Sequence, residues 1–249
     1  MTSTSNNELY ERGAATLLAS WDEYAKGSPG AEVARLEGVS AAIFSEEPER
    51  AFYNNALVRR GLDGPGRESA IEAMLARYAS AGVTRFATWV HEGEDEMRAD
   101  LDARGYRVRE TTRAMGLAMD DLPPLGRDRS VCQAEWDQYL RILELPEGLL
   151  AGADPSAFHV LAGRLDGEQV AASMAYDHEG DCGIFNLFTR SSARGRGIGT
   201  ALTAQHLLDA AERGCSTASL QSTPIAERVY ARLGFRDLGR FLEYGVGSA

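Results

Sequence analysis

With 249 residues, 44% of them apolar and 25% charged, the chain can bury one large core or two small ones, which excludes a disordered tract, a collagen-like fibre and a disulfide-stapled miniprotein. Its 26 basic and 37 acidic side chains leave a net charge of −11, which argues against nucleic acid as a partner and against anionic substrates, because phosphate binding needs clustered cations. Three scattered cysteines, Cys132, Cys182 and Cys215, form neither a disulfide framework nor a C-x-x-C metal knuckle, and no apolar run approaches the ~20 residues that span a bilayer. The expectation is a soluble, cytoplasmic protein with no membrane and no nucleic-acid partner.

In chain order, a helix from Leu9 to Tyr24 opens the first half. A strand Phe52 to Val58, a helix Gly66 to Ser80, a strand Arg85 to His91, a helix Asp95 to Ala103 and strands from Tyr106 to Met119 follow. Asp120-Asp121-Leu122-Pro123-Pro124-Leu125-Gly126 then resists helix and marks a boundary, giving domains 1–125 and 126–249. The second half repeats the order: helix Glu135 to Leu143, strand Gly183 to Thr189, helix Gly197 to Arg213, strand Ser216 to Ser222, helix Pro224 to Leu233 and a last strand ending near Gly245. Thr223-Pro224 suits an N-cap and first turn. An offset of 132 aligns Tyr53-Asn54 with Phe185-Asn186 and Gly82 with Gly214, so the halves read as diverged copies of one unit.

Helical periodicity places Ile71, Met74, Leu75 and Tyr78 on one buried face, and Ile198, Ala201, Ala204, Leu208 and Ala211 on another. The fold class is α/β (α+β), with each half a mixed, mostly antiparallel twisted sheet flanked by helices.

Chemistry concentrates in Arg194-Gly195-Arg196-Gly197-Ile198-Gly199-Thr200, between a strand and an amphipathic helix. Glycines at alternate positions remove Cβ atoms, so successive backbone N–H groups can face one anion at the positive end of the helix. Arg194 and Arg196 add charge-assisted donors. A P-loop would need Gly-Lys-Ser/Thr, and a dinucleotide loop would need glycine at Thr200. What remains is R-x-x-G-x-G, followed by Thr223-Pro224-Ile225-Ala226-Glu227-Arg228-Val229-Tyr230-Ala231-Arg232-Leu233-Gly234-Phe235.

These two segments resemble the acetyl-CoA loop and the second motif, N-P-x-A-x-x-x-Y-x-x-x-G-F, of the GNAT superfamily of N-acetyltransferases, with Thr223 where the family has Asn. The resemblance implies that Leu187, Phe188 and Thr189 lie on a strand that splays from its neighbour and offers backbone groups to the pantetheine. It implies that Gly195 to Thr200, with Arg194, hold the pyrophosphate, that Thr223 borders the cofactor, and that Tyr230 protonates the departing thiolate. The carboxylate that some members place about eleven residues before the loop arginine is here Gly183, and His178, Glu179 and Asp181 read as solvated residues of a hairpin turn.

The first half faces the loop with Leu62-Asp63-Gly64-Pro65-Gly66-Arg67 and the tyrosine with Leu101, so it resembles the degenerate, non-catalytic half of tandem family members. Tyr53, Asn54, Asn55, Trp89, His91 and Arg113 are its candidates to line a substrate cleft. The resulting expectation is an acetyl-CoA-dependent N-acetyltransferase acting by direct attack of a small primary amine in a ternary complex, with no metal. The alternatives are an acyl-CoA-binding regulatory module without turnover and a protein or peptide acetyltransferase.

Overall fold

The computed structural model describes residues 4–46, 53–143 and 152–246. They form two compact units, one made of Trp21–Arg113 with Gly239–Ala249 and the other of Met1–Ser20 with Ala114–Leu238. We call them the N-terminal and C-terminal units. This division differs from a single cut at 125/126: the internal break falls between Arg113 and Ala114, and the first turns of the opening helix α1 (Asn6–Lys26) and the far end of the last strand β11 (Arg236–Val246) each join the unit remote from them in sequence.

In the N-terminal unit, β1 (Glu32–Leu36), β2 (Val39–Ile43) and β3 (Asn55–Val58) run antiparallel, with Leu36 opposite Val39 and Val39 opposite Val58. Helix α2 (Gly64–Ser80) then returns the chain to β4 (Ala87–His91), which pairs parallel with β3. Beyond it, α3 (Asp95–Ala103) leads to β5 (Tyr106–Ala118), and β4 also pairs antiparallel with β11, His91 opposite Phe241. Ile71, Met74 and Tyr78 are buried with Ala56, Val90 and Tyr244, as the periodicity predicts, and Leu75 packs at the margin. The strand expected from Phe52 starts at Asn55, and Phe52 lies outside the described residues. Strands β1 and β2 escaped the sequence reading.

In the C-terminal unit, β6 (Val131–Gln133), β7 (His159–Leu165), β8 (Glu168–His178) and β9 (Asp181–Thr189) form an antiparallel meander. Helix α4 (Trp136–Ile142) starts on a reciprocal Glu135–Gln138 capping box. Helix α5 (Ile198–Arg213) then carries the chain to β10 (Thr217–Ser222), parallel to β9, and α6 (Glu227–Arg232) precedes β11. Both units therefore show the same order of hairpin, strand, helix, parallel strand, helix and strand.

The buried face of α5 departs from the expected one. Leu208 is half-buried and Ala211 exposed, while Ile198, Leu202, His206 and Ala210 face inward. The reading by apolar residues passed over His206, which is fully buried with Nε2 2.9 Å from Ser173 Oγ, so a histidine stands on the inner face. The helix also lies close to the sheet, since a Cβ at Gly163 would collide with Ile198. No helix among the described residues is long and apolar enough to cross a membrane.

Candidate functional site

Strands β9 and β10 pair only from Asp181–Thr217 to Ile184–Leu220. From there β9 runs on to Thr189, held on its other edge by β8, so its edge toward β10 is open over Phe185 to Thr189. A bulge sits at the parting point: the register against β8 shifts between Ala172 and Met174, and Asn186 adopts φ 51°. Its Nδ2 donates to the hydroxyl of the fully buried Tyr139 at 3.2 Å, which fixes the kink. The sequence carried one signal for it, since Asn tolerates the left-handed region better than other non-glycine residues.

After β9 the chain makes a short 3₁₀ turn, Ser191–Ala193, and enters the glycine loop. Gly195 (φ 75°) and Gly197 (φ 81°) take conformations that a Cβ would strain. Gly197 is the N-cap of α5 and no side chain caps it. Among the described residues, no acceptor takes the N–H of Gly195, Arg196, Gly197, Ile198, Gly199 or Thr200, and the first internal bond of the helix is Ala201 N–H to Gly197 O at 3.0 Å. Six donors at the positive end of a sixteen-residue helix await an anion.

Arg194 does not reach over this loop with its Nε, which donates to the Thr189 carbonyl at 3.0 Å and ties the loop to the end of β9. Arg196 is exposed. Leu187 and Thr189 turn their side chains toward Gly199, where a Cβ would lie 3.3 Å from Leu187 Cδ2 and 3.9 Å from Thr189 Oγ1, and strand alternation puts Phe188, which is half-buried, on the other face.

Tyr230, on α6, is buried and packs edge-on to Phe235, with centroids 6.0 Å apart. It belongs to the same hydrophobic cluster as Ile184 and Leu220, the residues at which β9 and β10 part. Burial pushes its phenol up to about 12, so it holds its proton throughout the physiological range. The expected cap on its helix is absent: α6 begins only at Glu227, with Ala226 as N-cap, and Thr223 is an exposed turn residue whose carbonyl accepts from Ala226 N–H at 3.0 Å. Pro224 and Ile225 occupy that turn, and Ile225 is 93% exposed.

The place of the missing carboxylate is filled. A Cβ at Gly183 would collide with the Phe185 ring and fall 2.8 Å from Thr16 Cγ2, so no larger residue fits there. The neighbouring turn is Glu179-Gly180, both with positive φ, between His178 and Asp181. Asp181 is not solvated as expected: it is 1% exposed and accepts from Thr217 Oγ1 at 2.6 Å and Ser219 Oγ at 2.7 Å, which makes it a structural tie between β9 and β10. The three cysteines are free, and burial raises the Cys182 and Cys215 thiols, which keeps them protonated.

In the N-terminal unit, Asn54 accepts the Phe44 N–H at 2.7 Å and Asn55 accepts from Trp89 Nε1 at 3.1 Å. His91 Nδ1 accepts the Gly93 N–H at 3.1 Å while its ring fills the space that a side chain at Gly239 would need. Asn54 and His91 are thus structural; Tyr53 packs tilted against Phe44 with centroids 5.5 Å apart, and Arg113 is half-buried on β5. Among the described residues no group of three His, Cys, Asp or Glu side chains could hold a metal ion.

Residues 124–235 match the acetyltransferase (GNAT) family. These residues lie within the C-terminal unit, which is therefore similar to the GNAT family over that stretch. The same fold extends over the whole chain in solved structures. A GCN5-related N-acetyltransferase from Kribbella flavida is 17% identical, covers 96% of each chain and gives a TM-score of 0.72. A GCN5-related N-acetyltransferase-like protein from Streptococcus suis is 15% identical over 96% of this chain and 99% of its own, with a TM-score of 0.54. A tandem GNAT protein from the clavulanic acid biosynthesis pathway is 14% identical over 100% and 98%, with a TM-score of 0.58. No curated protein matches the sequence. The family supports acyl transfer as the chemistry of the C-terminal unit.

Proposed function

We propose that the C-terminal unit transfers an acetyl group from acetyl-CoA to the primary amine of a small, cationic molecule by direct attack in a ternary complex. The observation that carries this reading is the coincidence of an open strand edge, six unsatisfied N–H donors on a helix N-terminus and a buried phenol, all built around the point where β9 and β10 part. Acetyl-CoA supplies a thioester whose acyl carbon the neutral amine attacks; the C–N bond forms, the C–S bond breaks, CoA leaves as thiolate and the surplus proton of the nitrogen passes to water.

The residues present fit such a donor. Gly195 to Thr200 take the pyrophosphate on their N–H groups, Arg196 adds charge from solvent, and the open edge of β9 over Leu187 to Thr189 receives the amide-bearing arm. Arg194 positions the loop through Thr189, and Thr223 shapes the turn before α6. Tyr230 donates a hydrogen bond to the departing sulfur. Full proton transfer from a phenol near 12 to a thiolate whose acid has a pKa of about 8.5 is uphill by roughly 3.5 units, about 5 kcal/mol. The hydroxyl therefore acts by stabilising developing charge, a charge-assisted bond of about 1.5–3 kcal/mol, or roughly 10- to 150-fold in rate.

The test is Tyr230→Phe. Acetyl-CoA affinity should stay as in wild type while kcat falls roughly 10- to 150-fold, with no limb from Tyr230 in the pH profile between about pH 6 and 10. Equal rates for the two proteins would remove Tyr230 from the chemistry. Absence of CoA release with polyamines, aminoglycosides, amino acids and basic peptides alike would remove the transferase reading in favour of an acyl-CoA-binding module.

A further inference from the structure

The N-terminal unit holds a carboxyl group that nothing in it neutralises. Glu243 lies on β11 directly opposite Trp89 on β4. Alternation along both strands sends Val90, Leu242 and Tyr244 into the core under α2 and leaves Trp89 and Glu243 together on the other face. Both side chains are half-buried, which keeps them reachable from solvent.

The indole beside the carboxyl is fixed on three sides. Trp21 meets it edge-on with centroids 6.0 Å apart, Phe241 tilts against it at 5.6 Å, and its Nε1 donates to Asn55 Oδ1 at 3.1 Å. Glu243 has no such support: among the described residues no hydrogen bond or ion pair reaches its carboxyl, and the charged group acting on it is another carboxylate, Glu110 of β5. Arg109, which packs against Gly245 on the same face of β11, is engaged on the Val246 carbonyl. Burial, with the repulsion of Glu110, raises the Glu243 carboxyl to about 7.

A half-buried carboxyl next to a like charge is costly to maintain, and a structural role would come with a donor to satisfy it. A rigid aromatic ring beside a carboxylate provides what an organic ammonium group needs, an anionic partner and a π face. A metal ion would need further ligands, and no group of three metal-binding side chains exists among the described residues.

We infer that the Glu243–Trp89 face of the N-terminal unit binds an organic ammonium ion, the nitrogen on the Glu243 carboxylate and the alkyl part along the Trp89 ring. The ligand is an amine held by this unit alone. The inference takes the cationic-ligand part of the proposed function further without depending on acetyl transfer.

The experiment is calorimetric titration of the full chain, without acetyl-CoA, with putrescine, n-hexylamine and, as an uncharged control, n-hexanol. One of the amines should bind while hexanol does not, and at pH 7 binding should release protons, read as a dependence of the heat on buffer ionisation enthalpy, because the ammonium forces Glu243 to ionise. Glu243→Gln should weaken the amine at least tenfold and abolish the proton release, with acetyl-CoA affinity unchanged and the thermal midpoint equal or higher. Glu110→Gln should weaken it about threefold. Loss of the binding heat in Glu243→Gln supports the site. Failure of both amines to bind the wild type, or equal binding to Glu243→Gln, would overturn it, and in neither case is acetyl-CoA binding affected.

Discussion

The two units solve the same local problem, a strand followed by a helix that returns to a parallel strand, with opposite chemistry at the helix start. In the N-terminal unit, Asp63 caps α2 and accepts the Gly66 N–H at 2.8 Å, Pro65 lacks an N–H, and Arg67 is committed to Glu96 and Asp100. In the C-terminal unit, Gly197 caps α5 with no side chain, and the donors from Gly195 to Thr200 stay open. The first helix end is stabilised for the fold alone, and the second gives up capping energy, roughly 1 kcal/mol, to keep an anion site. The two helix starts thus differ at the N-cap, at Pro65 and in the engagement of Arg67.

Exchanging the N-cap residue is the strongest way to break the contrast. Gly197→Asp places a carboxylate at the start of α5, as α2 has at Asp63, although Gly197 is left-handed where Asp63 is extended: its charge would repel the pyrophosphate. Acetyl-CoA affinity by calorimetry should fall about 100-fold, near 2.7 kcal/mol, with the far-ultraviolet circular dichroism unchanged. Asp tolerates the left-handed conformation at this position better than most residues, so the loss reports the anion site rather than unfolding. Unchanged affinity would mean that the loop does not hold the cofactor.

A second contrast concerns acid. In the C-terminal unit burial pulls His206 down to about 3, below the 6.5 of a free imidazole, so the unfolded chain binds the proton that the folded one refuses. Its contribution to stability is present above pH 6.5 and lost as the pH falls, by about 2 kcal/mol between pH 6.5 and 5. Glu243 runs the other way: with a folded value of about 7 against 4.5, its contribution is present below pH 4.5 and lost as the pH rises to 7, again about 2 kcal/mol after allowance for its partial exposure. Urea unfolding of Glu243→Gln and His206→Gln against wild type should show the two differences sloping in opposite directions with pH. Parallel slopes would contradict the environments assigned to both groups.

How much of this was legible beforehand follows from where the information sits. The glycine loop, Tyr230 and the parting strands are coded locally, in Gly-x-Gly spacing and in Tyr230 four residues before Gly234, and each element appeared within a few residues of its expected place. His206, Asp181 and Glu243 were not legible, since a polar residue on a buried helix face or a strand end owes its role to partners more than thirty residues away: Ser173, Ser219 and Trp89. The edge strands β1 and β6 were missed because their residues are mostly half-exposed and carry little apolar alternation.

The mildest test works from the other side of the first comparison. Asp63→Ala removes the side-chain acceptor from Gly66 N–H and should cost the N-terminal unit about 1 kcal/mol in urea unfolding. It should also expose the start of α2, and a helix end with free donors could in principle recruit a phosphate. Here it should not: Pro65 still interrupts the donor series, and the Arg67 guanidinium stays in its ion pairs with Glu96 and Asp100. Titration of the variant should therefore still give one acetyl-CoA per chain, with affinity and turnover as in wild type. Two acetyl-CoA per chain, in the variant or in the parent, would show that uncapping alone makes a nucleotide site on this scaffold and would overturn the distinction between the two helix starts.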